Sequence, residues 1–115
     1  MTPNEKNHLL DALSIVYNRA NYLKAVAEES GDKETSAQLG RRMDRLRLEL
    51  DGLLRDFYHQ WIGDAETLNG DILRRNQAIQ AHLDAIKDSA DRAKQFVEAI
   101  GYLDEVIELA AALVK

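Results

Sequence analysis

The side chains best suited to bind a metal or transfer a proton are three histidines, His8, His59 and His82. Helical bundles that hold two metal ions use Glu-x-x-His on paired helices, together with further inward-facing glutamates. His8 follows Glu5 at this spacing and His59 follows Asp56, but His82 has no acidic residue three positions before it. Because the paired motif and the additional glutamates are missing, we expect neither a metal site nor a cofactor.

Three aspartates, Asp84, Asp88 and Asp91, form a second group of candidate cation ligands. Their i, i+4, i+7 spacing places them on one helix face, where carboxylate oxygens could hold a cation. The same pattern is typical of a solvated helix face, which is the interpretation we favour. A ligand- or metal-binding bundle is kept as an alternative hypothesis. Its further polar groups would be His59, His82 and Asn76.

Motifs for covalent catalysis and for phosphate binding are missing from the sequence. The chain has no cysteine, its serines lack a nucleophile motif, and it contains no glycine-rich phosphate loop. We therefore expect that the protein is not an enzyme. The lack of cysteine also fits a reducing compartment, and the sequence shows neither a signal-peptide pattern nor a run of about 20 apolar residues. We expect a soluble, cytoplasmic protein without a membrane partner.

The segment Arg41–Arg47 is the basic cluster of a chain whose formal net charge is −5. Asp44 interrupts this cluster and no aromatic residue lies within it, so it is a weak signal for nucleic-acid binding. Nucleic acid is therefore not the expected partner. We favour ion pairing with neighbouring acidic helices, because Asp104 and Glu108 form a like-charge i, i+4 pair that a basic neighbour would relieve.

The elements that position these residues are helices, and the segment Leu39–Trp61 shows the helical pattern most clearly. Its apolar residues recur at steps of four and three, which places them on one stripe of an α-helix. Such a stripe is stable in water only when partner helices cover it. The aromatic residues Phe57 and Trp61 are expected to close one end of the core. The stripe consists of Leu39, Met43, Leu46, Leu50, Leu53 and Phe57.

Capping signals divide the chain into helices. Thr2-Pro3-Asn4-Glu5 has the pattern of a capping box with proline in the first turn, and Ser30-Gly31 is typical of a helix end. Asp32 and Asp64 are candidate N-caps for the next two helices. The expected fold is all-α, a single-domain, antiparallel up-down four-helix bundle. Its helices are expected at about residues 3–30, 33–62, 65–88 and 90–114.

The C-terminal half admits a second interpretation. Residues 64–115 contain either a turn near Lys87–Asp91, with Asp88 or Ser89 capping the fourth helix, or one helix of about 50 residues. So long a helix would overhang its neighbours and need another chain to cover it, giving a three-helix, oligomeric arrangement. We favour the four-helix form. Asn76 interrupts the apolar seam of this segment, either as a buried residue that fixes register or at a half-solvated edge.

Apolar residues outside the core stripes are the best indication of function. On the first helix, Ile15, Tyr22 and Val26 recur at i, i+7 and i+11 with Arg19 between them, and Leu48 lies opposite the core stripe of the second helix. A second apolar seam can seat a partner helix or another copy of the same chain. We therefore predict a protein–protein interaction module, such as an adaptor, chaperone or inhibitor. It would bind a protein partner or form a homodimer through these five residues.

Six residues of the first two helices follow a recognisable hairpin pattern: Val16, Arg19, Leu23, Leu39, Leu53 and Tyr58. On these residues, the segment 12–60 resembles the helical hairpin of small acidic immunity proteins that neutralise secreted bacterial toxins. The resemblance covers about two fifths of the chain, and the last 50 residues have no counterpart in it. It implies a toxin-neutralising function. The four-helix outline is also similar to that of bacterial export chaperones, as an architecture only.

Overall fold

The computed structural model describes residues 1–86 and 89–114, and these residues form four α-helices. The helices are α1 (Pro3–Glu29), α2 (Lys33–Arg55), α3 (Ala65–Asp84) and α4 (Ser89–Ala111). No strand occurs in the described residues, and the predicted all-α four-helix bundle is confirmed. The alternative with one long C-terminal helix is wrong, because the chain leaves α3 after Asp84 and begins a new helix at Ser89.

The turn between α3 and α4 starts earlier than the sequence predicts. The predicted third helix continues to residue 88, whereas α3 ends at Asp84 with Ala85 as its C-cap. The described residues leave out part of the predicted turn Lys87–Asp91. The two candidate caps of α4, Asp88 and the Ser89 side chain, also lie outside the described residues.

Side-chain caps begin the first three helices where the sequence predicts them. In the capping box of α1, the Glu5 N–H donates to Thr2 Oγ1 (3.1 Å) and the Thr2 N–H donates to Glu5 Oε1 (2.8 Å). Asp32 and Asp64 each accept hydrogen bonds from the hydroxyl and the N–H of the threonine three residues later. Because these bonds favour the charged carboxylate, they lower the pKa of both aspartates. Gly31, with φ of 76°, ends the first helix in the left-handed conformation.

The helices form two antiparallel hairpins, α1–α2 and α3–α4, in a bundle 45 Å long. α1 packs against α2 and α3, and α4 packs against the same two helices, while α1 and α4 also touch across one diagonal. In the described part of the chain, α2 and α3 share no contact. The loop between α2 and α3 therefore crosses one end of the bundle diagonally. As a result, α3 lies beside α1 and runs parallel to it.

The end of α2 differs from the prediction. The helix ends at Arg55 rather than near Ile62, although neither glycine nor proline interrupts the sequence between them. Trp61 folds back into the core, where it is 2% exposed, and its indole N–H donates to the Asp56 carbonyl over 3.1 Å. The indole thus takes up a carbonyl at the end of α2, where helices leave such groups without helical partners.

A buried lysine holds the same loop in place. Lys6 of α1 is buried, and its Nζ donates to the backbone carbonyls of Phe57 (2.5 Å) and His59 (2.7 Å). The ammonium group also lies 5.4 Å from the ring centroids of Phe57 and Trp61, within cation–π distance. These contacts reach across from another helix, so no local pattern near the end of α2 encodes them. Trp61 closes this end of the core, as predicted.

Asn76 of α3 lies in the core rather than at its edge. It is 7% exposed, so the interpretation of a buried residue is confirmed and that of a half-solvated residue is wrong. Its Oδ1 has no hydrogen-bond partner among the described residues. A buried acceptor left unpaired costs about 1–3 kcal/mol. We therefore expect Asn76 to lower the stability of the bundle, which is the effect of a polar residue that fixes register in a helix seam.

Candidate protein-interaction groove

A groove runs between α1 and α3, the two parallel helices that the diagonal loop brings together. Its volume is about 570 Å³, and it is open to solvent. Four of the five residues predicted to bind a partner line this groove from the α1 side: Ile15, Arg19, Tyr22 and Val26. The second seam that the sequence shows on the first helix is therefore one wall of a real depression in the surface.

These four side chains are exposed to different degrees. Ile15 and Tyr22 are 44% and 59% exposed, whereas Val26 is half-buried and packs against the core. The core therefore covers part of Val26 but leaves about half of the Ile15 and Tyr22 side chains in contact with water. Covering exposed apolar surface contributes about 25 cal/mol per Å², so these two side chains are the ones that a partner would gain most by burying.

The α3 wall of the groove is not part of the predicted site. Leu83 and Ile86 supply its apolar surface, and Gln80 and Asp84 supply its polar groups. The sequence assigns Leu83 and Ile86 to the core seam of the third helix. Both residues are half-buried: they pack against the core, as predicted, and also line the groove. The sequence carries no local signal for their place in the groove, because that place depends on the packing of α3 beside α1.

Leu48, the fifth predicted residue, lies elsewhere. It is 70% exposed and lies on α2, where it borders a depression shared with Ala110 of α4 and with Val114, which follows that helix. α2 has no contact with α3 in the described part of the chain, so Leu48 does not belong to the groove between α1 and α3. The predicted set therefore divides between two surfaces.

The groove carries one charged group on each wall. Arg19 of α1 is half-buried and makes no ion pair among the described residues. Asp84 of α3 accepts a hydrogen bond of 2.6 Å from the Gln80 side chain on its own helix. Within the structure described here, the two opposite charges are therefore available to an incoming surface.

The other flank of α3, which packs against α4, is joined to its neighbour by polar contacts. Arg75 Nε pairs with Glu105 Oε2 over 3.1 Å, and His82 Nε2 lies 3.1 Å from Glu98 Oε2. The Nδ1 atom of His82 is 2.6 Å from the Gln95 side-chain oxygen. Polar side chains from both helices thus contact one another along this flank.

One arginine of α2 pairs with the acidic fourth helix, in line with the predicted ion pairing. Arg42 Nε lies 3.1 Å from Asp104 Oδ1, so a basic neighbour relieves the like-charge pair that Asp104 forms with Glu108. The pair is partly exposed on both sides, and such pairs contribute at most about 1 kcal/mol. Part of the Arg41–Arg47 cluster thus has a partner within the chain.

The histidines do not come together. His59 Nδ1 lies 3.1 Å from Asp56 Oδ1, near the end of α2, and His82 contacts α4. Among the described residues, no group of three or more acidic or histidine side chains could hold a metal ion. The predicted aspartate face is not tested as a set, because Asp88 lies outside the described residues while Asp84 borders the groove.

A second, smaller groove of about 420 Å³ lies between α1 and α2. Its apolar wall includes Leu54, which is 59% exposed, but Leu10 is buried and Tyr17 and Leu50 are half-buried. One large apolar side chain is thus strongly exposed here, against two in the groove between α1 and α3. The larger groove is therefore the better candidate for binding, and Leu54 offers a control position whose exposure equals that of Tyr22.

No family model, curated protein or solved structure matches the chain. Across residues 1–86 and 89–114, no helix is long and apolar enough to cross a membrane.

Most residues of the immunity-protein resemblance serve the packing of the first hairpin. Arg19 differs, because it lines the groove, and Tyr58 is 94% exposed in the loop after α2. The toxin-neutralising function that the resemblance implies stays a prediction. The four remaining residues, all buried, are Val16, Leu23, Leu39 and Leu53.

Proposed function

We propose that this protein is a non-enzymatic interaction module that binds a helical protein surface in the groove between α1 and α3. One observation carries the proposal: Ile15 and Tyr22 are about half exposed in a groove whose opposite wall includes Leu83 and Ile86. Two neighbouring helices with apolar side chains between them form the type of surface into which an amphipathic helix binds.

The dimensions of the groove suit a short helix. From Ile15 to Val26 the α1 wall extends about 17 Å at a rise of 1.5 Å per residue, which corresponds to about three helical turns. A partner helix would fill it with apolar side chains at i, i+4 and i+7. Arg19 and Asp84 would then select the orientation of the partner, because charges at the edge of an interface contribute more to specificity than to affinity.

The proposal includes the narrower roles that the sequence suggests. An adaptor, a chaperone or an inhibitor would each use such a groove. A toxin-neutralising role would use the same surface, because Arg19, one of the residues of that resemblance, lines it. We also propose that the protein acts in the cytoplasm, in keeping with a chain that has no cysteine.

Site-directed photocrosslinking in the native cells tests the proposal. The photoreactive residue benzoylphenylalanine would replace Tyr22 in one variant and Leu54 in another. The two positions have the same 59% exposure, but only Tyr22 lies in the groove between α1 and α3. We expect a discrete protein adduct from position 22 at a yield at least several times that from position 54, as measured by gel shift and mass spectrometry.

A second change shows whether the groove itself makes the contact. Introducing Ile15→Asp into the variant with the photoreactive group at position 22 places a charge on the same wall, and we expect the adduct to disappear. Circular dichroism of the variant must show an intact helical fold. Equal yields at positions 22 and 54, or an adduct that survives Ile15→Asp, would overturn the proposal.

A further inference from the structure

We propose that the occupant of the groove between α1 and α3 is a second copy of this chain, related by a two-fold axis. This inference rests on the proposed function, since it identifies the partner of the same groove. Arg19 on one wall has no ion partner among the described residues, and Asp84 on the other wall carries the opposite charge. A surface with one charge of each sign on its two sides can pair with itself.

The parallel direction of α1 and α3 makes this pairing geometrically simple. A two-fold axis that runs along the bundle between the two copies keeps every residue at its own height. It places α1 of one copy opposite α3 of the other. Arg19 and Asp84 line the same groove and therefore lie at similar heights. In this arrangement Arg19 faces Asp84 of the second copy, and the same pair forms again on the other side of the axis.

The apolar residues of the groove are suited to the same symmetry. Ile15 and Tyr22 on α1 would pack against the half-buried Leu83 and Ile86 of the second copy, so the apolar walls of the two copies cover each other. Leu73 extends this surface along α3, because it is exposed and lies two helical turns before Gln80 on the same stripe. Because the apolar strip continues beyond the groove, a helical partner that also reaches Leu73 buries more apolar surface than one confined to the groove.

The area of this face also fits a stable dimer. The bundle measures 45 × 22 × 17 Å, so one long face presents about 800–1,000 Å². A standard protein–protein interface covers about 800 Å² on each partner. A three-turn helix bound in the groove would cover only part of this face, whereas a second bundle of equal length would cover Ile15, Tyr22 and Leu73 together.

Two charge-reversal variants provide the test. Each variant alone should fail to form a homodimer, whereas a mixture of the two should form a heterodimer. In Arg19→Asp, both cross-pairs become Asp–Asp, and in Asp84→Arg both become Arg–Arg. A mixture of the two variants recovers two opposite-charge pairs in one heterodimer. The control is Arg47→Asp, which makes the same charge change in the groove between α1 and α2.

Native mass spectrometry and light scattering at 10–100 μM, a range of about tenfold chosen for typical dimer affinities, would measure the masses. We expect the unchanged protein and Arg47→Asp to reach twice the 13.0 kDa chain mass. Each groove variant alone should dimerise at least tenfold more weakly. The equimolar mixture, with one variant carrying a mass tag, should give the heterodimer as the main species. Circular dichroism must show that both variants are folded.

The outcomes separate this inference from the proposed function. The unchanged protein could be monomeric while its position-22 adduct contains a different protein. That result would overturn the inference of a second copy but would support the proposed interaction module. A monomer that also gives no groove-specific adduct overturns both proposals. If the unchanged protein and both groove variants are all dimeric, the dimer uses another surface and the inference is wrong.

Discussion

The two flanks of α3 differ in what holds them together. Against α4, the ion pairs Arg75–Glu105 and His82–Glu98 join the two helices. Against α1, the walls are mainly apolar, and no ion pair crosses between the two helices in the part of the chain that the structure describes. On the flank of α3 that faces α4, the polar groups already have partners. On the flank that faces α1, apolar side chains remain partly exposed.

This difference determines where another protein can gain free energy by binding. Partly exposed ion pairs add at most about 1 kcal/mol to stability, and covering them removes charged groups from water at a cost. Covering apolar surface is favourable in proportion to its area. The flank against α4 thus offers little to a partner, while the groove against α1 offers a net gain.

The charges of the chain explain why the open flank belongs to α1. The acidic α4 pairs with Arg42 of α2 through Asp104 and with Arg75 of α3 through Glu105. Both neighbours of α4 therefore contribute an arginine, and α1 lies across the diagonal from it. α1 is left with apolar side chains toward both of its own neighbours, and a groove that contains exposed apolar side chains borders it on each side.

The diagonal loop places α3 beside α1 and so produces the difference between the two flanks. We expect the largest effect from removing the side chain that anchors this loop. Trp61→Ala deletes a large side chain that is almost fully buried and leaves a cavity beside Lys6. We expect a loss of about 3–5 kcal/mol in the free energy of unfolding, measured by urea denaturation followed by circular dichroism. Tyr58→Ala, three residues earlier and almost fully exposed, is the control and should change stability by no more than about 0.5 kcal/mol. Comparable losses in both variants would contradict the role given to Trp61.

The sequence predicts those parts of the fold that local chemistry determines. The caps at Thr2, Asp32 and Asp64 and the glycine turn at Gly31 are short-range features, and the structure has each of them at its predicted place. The start of each of the first three helices follows from them. The apolar stripes likewise predict four helices, because burial of a stripe is the main source of stability for a helix in a protein.

The parts that the sequence does not predict depend on distant contacts. α2 ends early because Lys6, about fifty residues away, binds carbonyls in the loop that follows it. The same distinction divides the groove: its α1 wall is predictable from the sequence, and its α3 wall is not. Ile15 and Tyr22 depart from their own helix stripe, which can be read locally, whereas Leu83 and Ile86 become groove wall only because α3 packs beside α1.

The second prediction concerns the effect of the buried Asn76 on the free energy of unfolding. Asn76 lies one turn before Gln80 on α3, with an unpaired Oδ1 in the core. Leucine has nearly the same shape without the polar atoms, so Asn76→Leu should raise the free energy of unfolding by about 1–2 kcal/mol. Urea denaturation checks the sign.

Two measurements distinguish stability from specificity at this position. If Asn76 fixes register, Asn76→Leu should broaden or multiply the amide resonances in NMR spectra while the midpoint of unfolding rises. Asn76→Ala is the control, because it removes the amide but also leaves a cavity, and it should not stabilise the bundle. A loss of stability in Asn76→Leu would show that the amide has a partner that the fold requires.

The smallest effect is expected on the flank of α3 that faces α4. A double-mutant cycle with Arg75→Met and Glu105→Gln isolates the coupling energy of that ion pair, which is partly exposed on both sides. We expect a coupling of about 0.2–1 kcal/mol at low salt and a smaller value at about 1 M salt, where the Debye length is about 3 Å. A coupling above about 2 kcal/mol would mean that this flank is a main source of stability. The distinction between a flank with satisfied polar groups and a flank open to a partner would then fail, because the open flank would simply be the weaker of two structural contacts.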